Sequence, residues 1–289
     1  MLGTLFSFCL MAVGARELSG QLGTFQVLFF RGLIALTIIS IVILVTQQQH
    51  LIYTKRLKLH TVRNLFHFAG QYGWFIGIGL LPLAQVFAIE FTVPLWTAII
   101  AALFLAEQLT KRKLVAMTLG FVGVLFIVKP GFEIVTPAAL IVLASAVCYA
   151  VSHSSTKSLA RTEHPLTILF LMCLIQLPVS FSLAVPDWQF PVGSQWLWLA
   201  IIGVTALSAH YCMTKALQLA DVSIVVTMDF LRLPVIALAG VVLYAEEFQI
   251  SLLAGALLML AGNLINLYQA KHPSHAQRLS LSDRLRKRT

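Results

Sequence analysis

The sequence predicts an all-α polytopic membrane protein whose ten transmembrane helices form an inverted repeat of two five-helix bundles. The membrane class follows first from composition, because the 289-residue chain is 59% hydrophobic and only 11% charged, whereas soluble domains carry about 25% charged residues. It follows secondly from apolar runs of about 18 to 25 residues, the length that crosses a bilayer, along almost the whole chain. Similarity between the two halves predicts the repeat.

The apolar runs define the predicted helices in order. The first begins at Met1 without the basic n-region of a signal peptide, so we interpret it as a helix that is retained in the protein. Spans 1 to 5 are assigned to a first repeat at 1–130, spans 6 to 10 to a second repeat at 137–270, and 271–289 to a basic tail. The predicted spans are 1–18, 24–46, 64–81, 83–106, 113–129, 137–156, 165–185, 194–216, 222–245 and 250–270.

Basic residues predict the orientation, because cytoplasmic loops are enriched in Lys and Arg. With both termini in the cytoplasm, only Arg16 and Lys129 of the 20 Lys and Arg lie on the outer side, and Arg31 and Arg232 lie inside spans. The net charge of +9 then needs no nucleic-acid partner, and the tail is expected to lie along the lipid bilayer. The remaining basic residues are assigned to the inner side: Lys55, Arg56, Lys58, Arg63, Lys111, Arg112, Lys113, Lys157, Arg161, Lys215, Lys271, Arg278, Arg284, Arg286, Lys287 and Arg288.

Short matches relate the two halves of the chain. "LLPLA" at 80–84 matches "ALQLA" at 216–220, "LAE" at 105–107 matches "YAE" at 244–246, and "GFVGVLFI" at 120–127 resembles "LMLAGNLI" at 258–265. Since five spans is an odd number, the second copy must enter the membrane from the opposite side. Inverted repeats of this kind are typical of secondary transporters that work by alternating access.

Four ionisable residues, Arg31, Glu90, Asp229 and Arg232, fall inside the spans, where inserting a charge costs about 2.5 to 3.5 kcal/mol. Asp229 and Arg232 share one helical face and could simply neutralise each other. The alternative is a substrate or proton site, in which the carboxylates take up protons or bind cationic groups. Two guanidinium groups opposite two carboxylates favour a substrate that carries a carboxylate or is zwitterionic.

In each half a proline follows the carboxylate: Pro94 follows Glu90, and Pro234 follows Asp229. Pro94 leaves the carbonyl of Glu90 without its helical partner, and Pro234 does the same for Phe230. A lipid-facing helix tolerates such a break poorly, but a helix that lines a wet cavity tolerates it well. We therefore predict a helix break in each half, next to a carboxylate near the middle of the membrane.

Span 3 carries a polar face on which Asn64, His67, Gln71 and Trp74 follow helical spacing, and Trp74 corresponds to His210 in the repeat. His67, Gln71, Trp74, His210 and Tyr211 are candidate contacts to the substrate or to protons. The alternative is that such polar stripes hold helices together. That alternative is preferred for Ser145, Ser152 and Thr156 of a second stripe, in which Tyr149 stays open, and for the G-x-x-x-G pair Gly73 and Gly77. Glu107 and Glu246 or Glu247 are interpreted as interfacial caps or as partners for Lys111 to Lys113.

The segment "FAIEFTVPLWTAIIAALFLAEQLTKRKLVAMTLGFVGVLFIVKPG" and its partner "DVSIVVTMDFLRLPVIALAGVVLYAEE", with Arg31 in "FFRGLIAL", resemble the EamA-type drug/metabolite transporter superfamily. The resemblance covers almost the whole chain and occurs twice within it. It implies a ten-span carrier, and the superfamily handles amino acids, nucleotide-like metabolites, vitamins, organic anions and lipophilic cations.

No sequence motif of an enzyme is present: the chain contains no H-E-x-x-H, no Walker A sequence and no G-x-S-x-G. Cys9, Cys148, Cys173 and Cys212 lie at no metal-ligand spacing. We therefore expect no enzyme activity, no cofactor and no metal. The absence of an N-x-Ser/Thr sequon is consistent with a bacterial inner membrane.

The sequence as a whole predicts a multi-pass inner-membrane transporter of a small organic metabolite, as a monomer or homodimer. Import and export stay open, as do proton coupling, exchange and facilitation. The alternatives are a non-transporting scaffold or lipid scramblase and a carrier for a planar vitamin or nucleoside-like metabolite.

Overall fold

The computed structural model describes residues 1–90, 92–104, 110–128 and 136–246, together with isolated positions between 254 and 265. Within these residues the chain is helical and contains no β-strand. Predicted span 10, the basic tail 271–289, Glu107 and Glu247 lie outside the continuous ranges. The α-helices are α1 (Leu2–Leu18), α2 (Thr24–Val45), α3 (Leu57–Leu80), α4 (Leu83–Glu90), α5 (Val93–Phe104), α6 (Lys111–Val128), α7 (Pro137–Ala160), α8 (Pro165–Ala184), α9 (Gln195–Leu219), α10 (Val222–Met228) and α11 (Arg232–Tyr244).

The helices have the length and composition of a membrane protein. In the described part of the chain, four are long and apolar enough to cross a bilayer: Thr24–Val45, Pro137–Ala160, Pro165–Asp187 and Gln195–Leu219. Long apolar side chains such as Leu44, Leu103 and Val242 are exposed, as expected where the surrounding solvent is lipid. The all-α membrane class is therefore confirmed.

Two sets of boundaries differ from those of the predicted spans. Helix α3 begins at Leu57, seven residues before the predicted start, so His60 and Arg63 lie inside the helix. His60 and Arg63 are buried because Glu163 in the α7–α8 connection and Thr156 on α7 bind them, which hydropathy cannot detect. Predicted spans 4 and 9 are each formed by two helical pieces, α4 with α5 and α10 with α11.

Small residues let α3 and α7 approach closely. A Cβ atom added at Gly73 would collide with the Ser145 hydroxyl, and one added at Gly77 would collide with the Val142 side chain. The G-x-x-x-G pair thus lies where close helix contact requires it.

One end of the molecule, which we call the basic end, joins the starts of α3 and α8 to the end of α7. Arg56 donates to the Ser158 carbonyl at 2.8 Å, and His60 Nε2 lies 2.6 Å from Glu163 Oε2. Lys157 donates to the carbonyls of Leu217 and Ala220, which end α9. This end is therefore closed by hydrogen bonds between helices.

The connection between α7 and α8 at this end includes His164, which caps α8. Its Nδ1 accepts from the Leu166 amide at 3.2 Å. Partial burial, helped by the positive charges of Lys215 and His50, lowers the pKa of His164. The neutral imidazole that the cap requires is thereby favoured.

The opposite end, the tryptophan end, is closed by a second group of polar contacts. Arg16 donates to the carbonyls of Ile78 and Leu81, the latter at 2.9 Å. Glu246 accepts from the Leu83 amide at 3.1 Å and lies 3.6 Å from Arg16, so it caps α4. Trp188 lies at this end and packs against Phe29, Phe30 and Phe181.

Candidate functional site

Both interrupted helices break at a carboxylate. Helix α4 ends at Glu90 and α5 begins at Val93, so Pro94 stands in the first turn of α5. Helix α10 ends at Met228, a 3-10 turn covers Asp229–Leu231, and α11 begins at Arg232, which places Pro234 in its first turn. Proline is tolerated there because the amide of a first-turn residue has no helical partner in any case. The prolines therefore mark the starts of the second pieces.

The two breaks meet at one ion network. Arg232 Nη2 lies 2.9 Å from Glu90 Oε1 and 2.9 Å from Asp229 Oδ2. The Trp74 indole donates to Glu90 Oε2 at 2.8 Å. The structure thus brings together four of the residues that the sequence singled out, from α3, α4 and the α10–α11 break. Hydrogen-bonded charge pairs are the form in which buried charge is tolerated.

Aromatic rings hold the guanidinium group of Arg232 in place. Its Cζ lies 4.7 Å from the centre of the Phe8 ring and 4.9 Å from that of Phe87. Stacking of this kind suits arginine, because the guanidinium group is planar and weakly hydrated. Arg232 is therefore fixed by two carboxylates and two rings rather than free to swing toward a ligand.

A small cavity of about 30 Å³ adjoins the network. Gln71 Oε1 and Asp229 Oδ1 are buried and accept no hydrogen bond from the described residues. Both groups are acceptors, so the cavity is suited to a donor such as an ammonium group, an amine or water. Its walls are Phe8, Met11, Gln71, Trp74, Phe75, Glu90, Tyr149, His153, His210, Asp229 and Arg232.

Two histidines from different halves of the chain lie side by side, and one of them, His210, lines the cavity. The rings of His67 and His210 are 4.7 Å apart, and His210 also meets Phe8 edge-on at 5.4 Å. Gln176 Nε2 lies 3.0 Å from His67 Nδ1, and an amide nitrogen can only donate, so Nδ1 accepts and Nε2 carries the hydrogen. That Nε2 is buried, and no described residue accepts from it.

Three predicted site residues are not part of the cavity wall: His67, which packs behind His210, Tyr211 and Arg31. Tyr211 packs at the edge of a second apolar cluster with α2 and α8, where the Lys215 ammonium lies 5.9 Å from its ring centre. Arg31 is buried between helices but is not part of the cavity wall.

Sequence reasoning missed three residues of this region. The sequence leaves Tyr149 open between helix association and a wet cavity, assigns Arg63 to the inner side outside the spans, and does not single out His153. Tyr149 and His153 are four residues apart on α7, and both line the cavity. Helical spacing could have linked Arg63 to His67 in the same way, had the start of α3 been known.

Comparison with known proteins places this geometry in a family. The family model described as "EamA-like transporter family" matches residues 1–129 and 136–268. The chain belongs to the EamA-like transporter family. This EamA protein is therefore a transporter of the cell membrane and not an enzyme.

Several proteins of known name resemble this EamA chain. An S-adenosylmethionine uptake transporter of Rickettsia felis is 26% identical over 259 residues, which are 90% of this chain and 88% of that protein. A riboflavin transporter of Rhizobium johnstonii is 30% identical over 206 residues, 71% of this chain and 68% of that protein. One crystal structure superimposes with a TM-score of 0.75 at 19% identity, covering 94% of this chain and 99% of the other, which shows the shared fold.

Proposed function

We propose that the protein is a secondary transporter that moves a small zwitterionic metabolite with a planar ring across the bacterial inner membrane by alternating access. One observation carries the proposal. A cavity lies where two broken helices meet, and their carboxylates, Glu90 and Asp229, share the single guanidinium group of Arg232. Broken helices around a central site are the arrangement that transporters use to bind polar cargo at membrane depth.

Contacts between the halves support the proposed inverted repeat of ten spans. Helix α3 packs against α7, and α1 packs against α9. The third helix of each proposed five-helix bundle therefore packs against the first helix of the other bundle. At the tryptophan end Arg16 bonds the carbonyls of Ile78 and Leu81. At the basic end Lys157 bonds the carbonyls that end α9 in the same way. A pseudo-two-fold axis in the membrane plane relates such a pair of contacts.

The chemistry of the cavity supports the substrate class. Asp229 and Gln71 offer unused acceptors, which favour a cationic or amine group, and Phe8, Trp74 and Tyr149 offer rings on which a planar group can stack. S-adenosylmethionine carries an ammonium group, a sulfonium group, a carboxylate and an adenine ring. The Rickettsia relative makes it the first substrate to test, with riboflavin, a planar vitamin, as the second.

We assign Glu90 and Asp229 roles in the transport cycle. They bind the cationic part of the substrate or, when it is absent, protons, and Arg232 balances their charge. His210, which lines the cavity, and His67, whose ring packs against it, are the proposed histidine contacts to the substrate or to protons. We assign the basic end to the cytoplasm, following the bias of Lys and Arg, which places both termini there.

The test is uptake into proteoliposomes with S-adenosylmethionine, riboflavin and a panel of amino acids, with and without a pH gradient. We expect saturable uptake of at least one substrate, lowered about tenfold or more by Glu90→Gln or Asp229→Asn, since loss of one charge-assisted bond is worth about 1.5 kcal/mol or more. The matched control is Asp187→Asn, which removes an exposed carboxylate at the tryptophan end and is expected to transport normally.

The outcomes separate the proposed roles. If both variants kept the wild-type rate and its pH dependence for every accepted substrate, the carboxylates would have neither the proton nor the cation role. If no substrate of the panel entered while lipids crossed the bilayer, the protein would be a scramblase instead.

A further inference from the structure

Two further arginines are buried in the interior, outside the cavity wall. Arg31 of α2 is 4% exposed and Arg63 of α3 is 2% exposed. The two guanidinium groups lie within electrostatic range of each other, and both lie within range of Cys173 on α8. The interior thus holds two neighbouring positive charges in addition to Arg232.

No carboxylate of the described chain forms an ion pair with either arginine. Glu90 and Asp229 pair with Arg232, and Glu163 pairs with His60. Arginine stays protonated in proteins, and an uncompensated buried charge costs several kcal/mol. Such a cost is kept only where something else supplies the opposite charge.

Hydrogen bonding leaves the two groups unequally satisfied. Arg63 donates to the Thr156 hydroxyl at 3.1 Å and to Asn64 Oδ1 at 2.6 Å. The Arg31 side chain donates to no residue within the described ranges, and its Nε is wholly buried. An arginine that served packing alone would be expected to bond neighbouring carbonyls, as Arg16 and Arg56 do.

A buried polar stripe on α3 runs from the basic end, through Arg63, to the cavity. Its residues recur every three or four positions, so they share one helix face. The stripe starts at the His60–Glu163 pair of the basic end and finishes at the Trp74–Glu90 bond of the cavity, about 21 Å apart at 1.5 Å per residue. Its members, all buried, are His60, Arg63, Asn64, His67, Gln71 and Trp74.

We propose that Arg31 and Arg63 form an anion-binding subsite on the route between the cavity and the basic end, and that it takes the carboxylate of the substrate. The inference rests on the proposed transport function and assigns the two charges of the substrate to different places. The cavity presents free acceptors at Asp229 and Gln71, whereas the subsite presents free donors at Arg31 and His67. Guanidinium groups bind carboxylates through paired, charge-assisted hydrogen bonds.

The first experiment uses acetate as the probe and needs no transport. Thermal unfolding of the purified protein in detergent is followed as sodium acetate replaces sodium chloride at constant ionic strength. We expect a saturable rise in the midpoint for the wild type, because binding to the folded state alone stabilises it. Arg31→Met and Arg63→Gln are expected to lose that rise, and Lys58→Gln, which removes an exposed charge from the same helix, to keep it.

The second experiment compares S-adenosylmethionine with its decarboxylated derivative in proteoliposomes. Arg63→Gln should raise KM for the carboxylated compound about tenfold or more and change KM for the decarboxylated one less than about twofold. Arg63→Lys, which keeps the charge but loses the fork, should lie between. A merely structural role would change both values together.

Each result decides between the proposals. Saturable uptake with an unchanged ratio of the two KM values in Arg31→Met and Arg63→Gln would overturn the subsite while leaving the transporter intact. Absence of all uptake together with an arginine-dependent acetate effect would overturn the proposed function and keep the subsite. A stabilising effect of phosphate but not of acetate would also overturn the carboxylate assignment.

Discussion

Two groups of buried charge lie in the interior of the molecule, and they differ in how their charge is balanced. At the cavity, Arg232 is held by Glu90 and Asp229 at 2.9 Å each and is enclosed by aromatic rings. Outside the cavity wall, Arg31 and Arg63 form no ion pair with a described carboxylate. The difference teaches that a balanced network stabilises the empty protein by itself, whereas the unbalanced one, in our proposal, receives its counter-charge from the substrate.

The two groups of charges are expected to contribute differently to the stability of the fold and to binding. Removing a charge from a satisfied network leaves its partners buried and unpaired, which destabilises the fold. Removing a charge that has no partner relieves the fold and harms only the binding of whatever supplies the counter-charge. Substitutions at the two places are therefore expected to move stability in opposite directions.

The largest effect is expected from Arg232→Gln, which leaves Glu90 and Asp229 facing each other without a cation. We expect the free energy of unfolding to fall by about 3 to 5 kcal/mol, the range for breaking a buried ion pair. The thermal unfolding midpoint in detergent measures this. The double variant Glu90→Gln with Arg232→Gln should recover part of the loss, because one of the two stranded carboxylates is then gone. A single variant as stable as the wild type would show that the network contributes nothing to folding.

A smaller effect of opposite sign is expected from Arg31→Met. The substitution replaces an unpaired charge by an apolar side chain of similar length, so the free energy of unfolding without ligand should rise by on the order of 1 kcal/mol. The same thermal measurement, made in chloride without acetate or substrate, checks it. A clear loss of stability would mean that Arg31 is already satisfied in the empty protein, and the contrast between the two regions would fail.

The smallest effect is expected from Tyr211→Phe. Tyr211 borders the second apolar cluster and contacts neither charged region, so loss of its hydroxyl should change stability by less than about 0.5 kcal/mol. Initial uptake rates in proteoliposomes should stay within about twofold of the wild type. Tyr149→Phe, which alters the cavity wall itself, is the comparison that shows the assay can detect a change. A strong defect in Tyr211→Phe would extend the functional region beyond the cavity.

Much of the candidate site could be predicted from residue types that are rare in apolar spans. Charges and prolines are scarce in apolar spans, so Glu90, Asp229, Arg232, Pro94 and Pro234 attract attention without any coordinates. The structure places all five at the two helix breaks. Tyr211 shows the limit of the same reasoning, because its neighbour His210 faces the cavity while Tyr211 points elsewhere.

The sequence by itself determined the membrane class and the family, because both depend on properties that act locally: apolar length, the scarcity of charge, and motifs repeated along the chain. Which charges meet was decided only by tertiary structure. Glu90 and Arg232 are 142 positions apart, and the burial of Arg63 depends on α7 and α8 packing over the first turns of α3. Pairing between distant segments is a property of the packed helices, since an electrostatic contact depends on distance in space and not on distance along the chain.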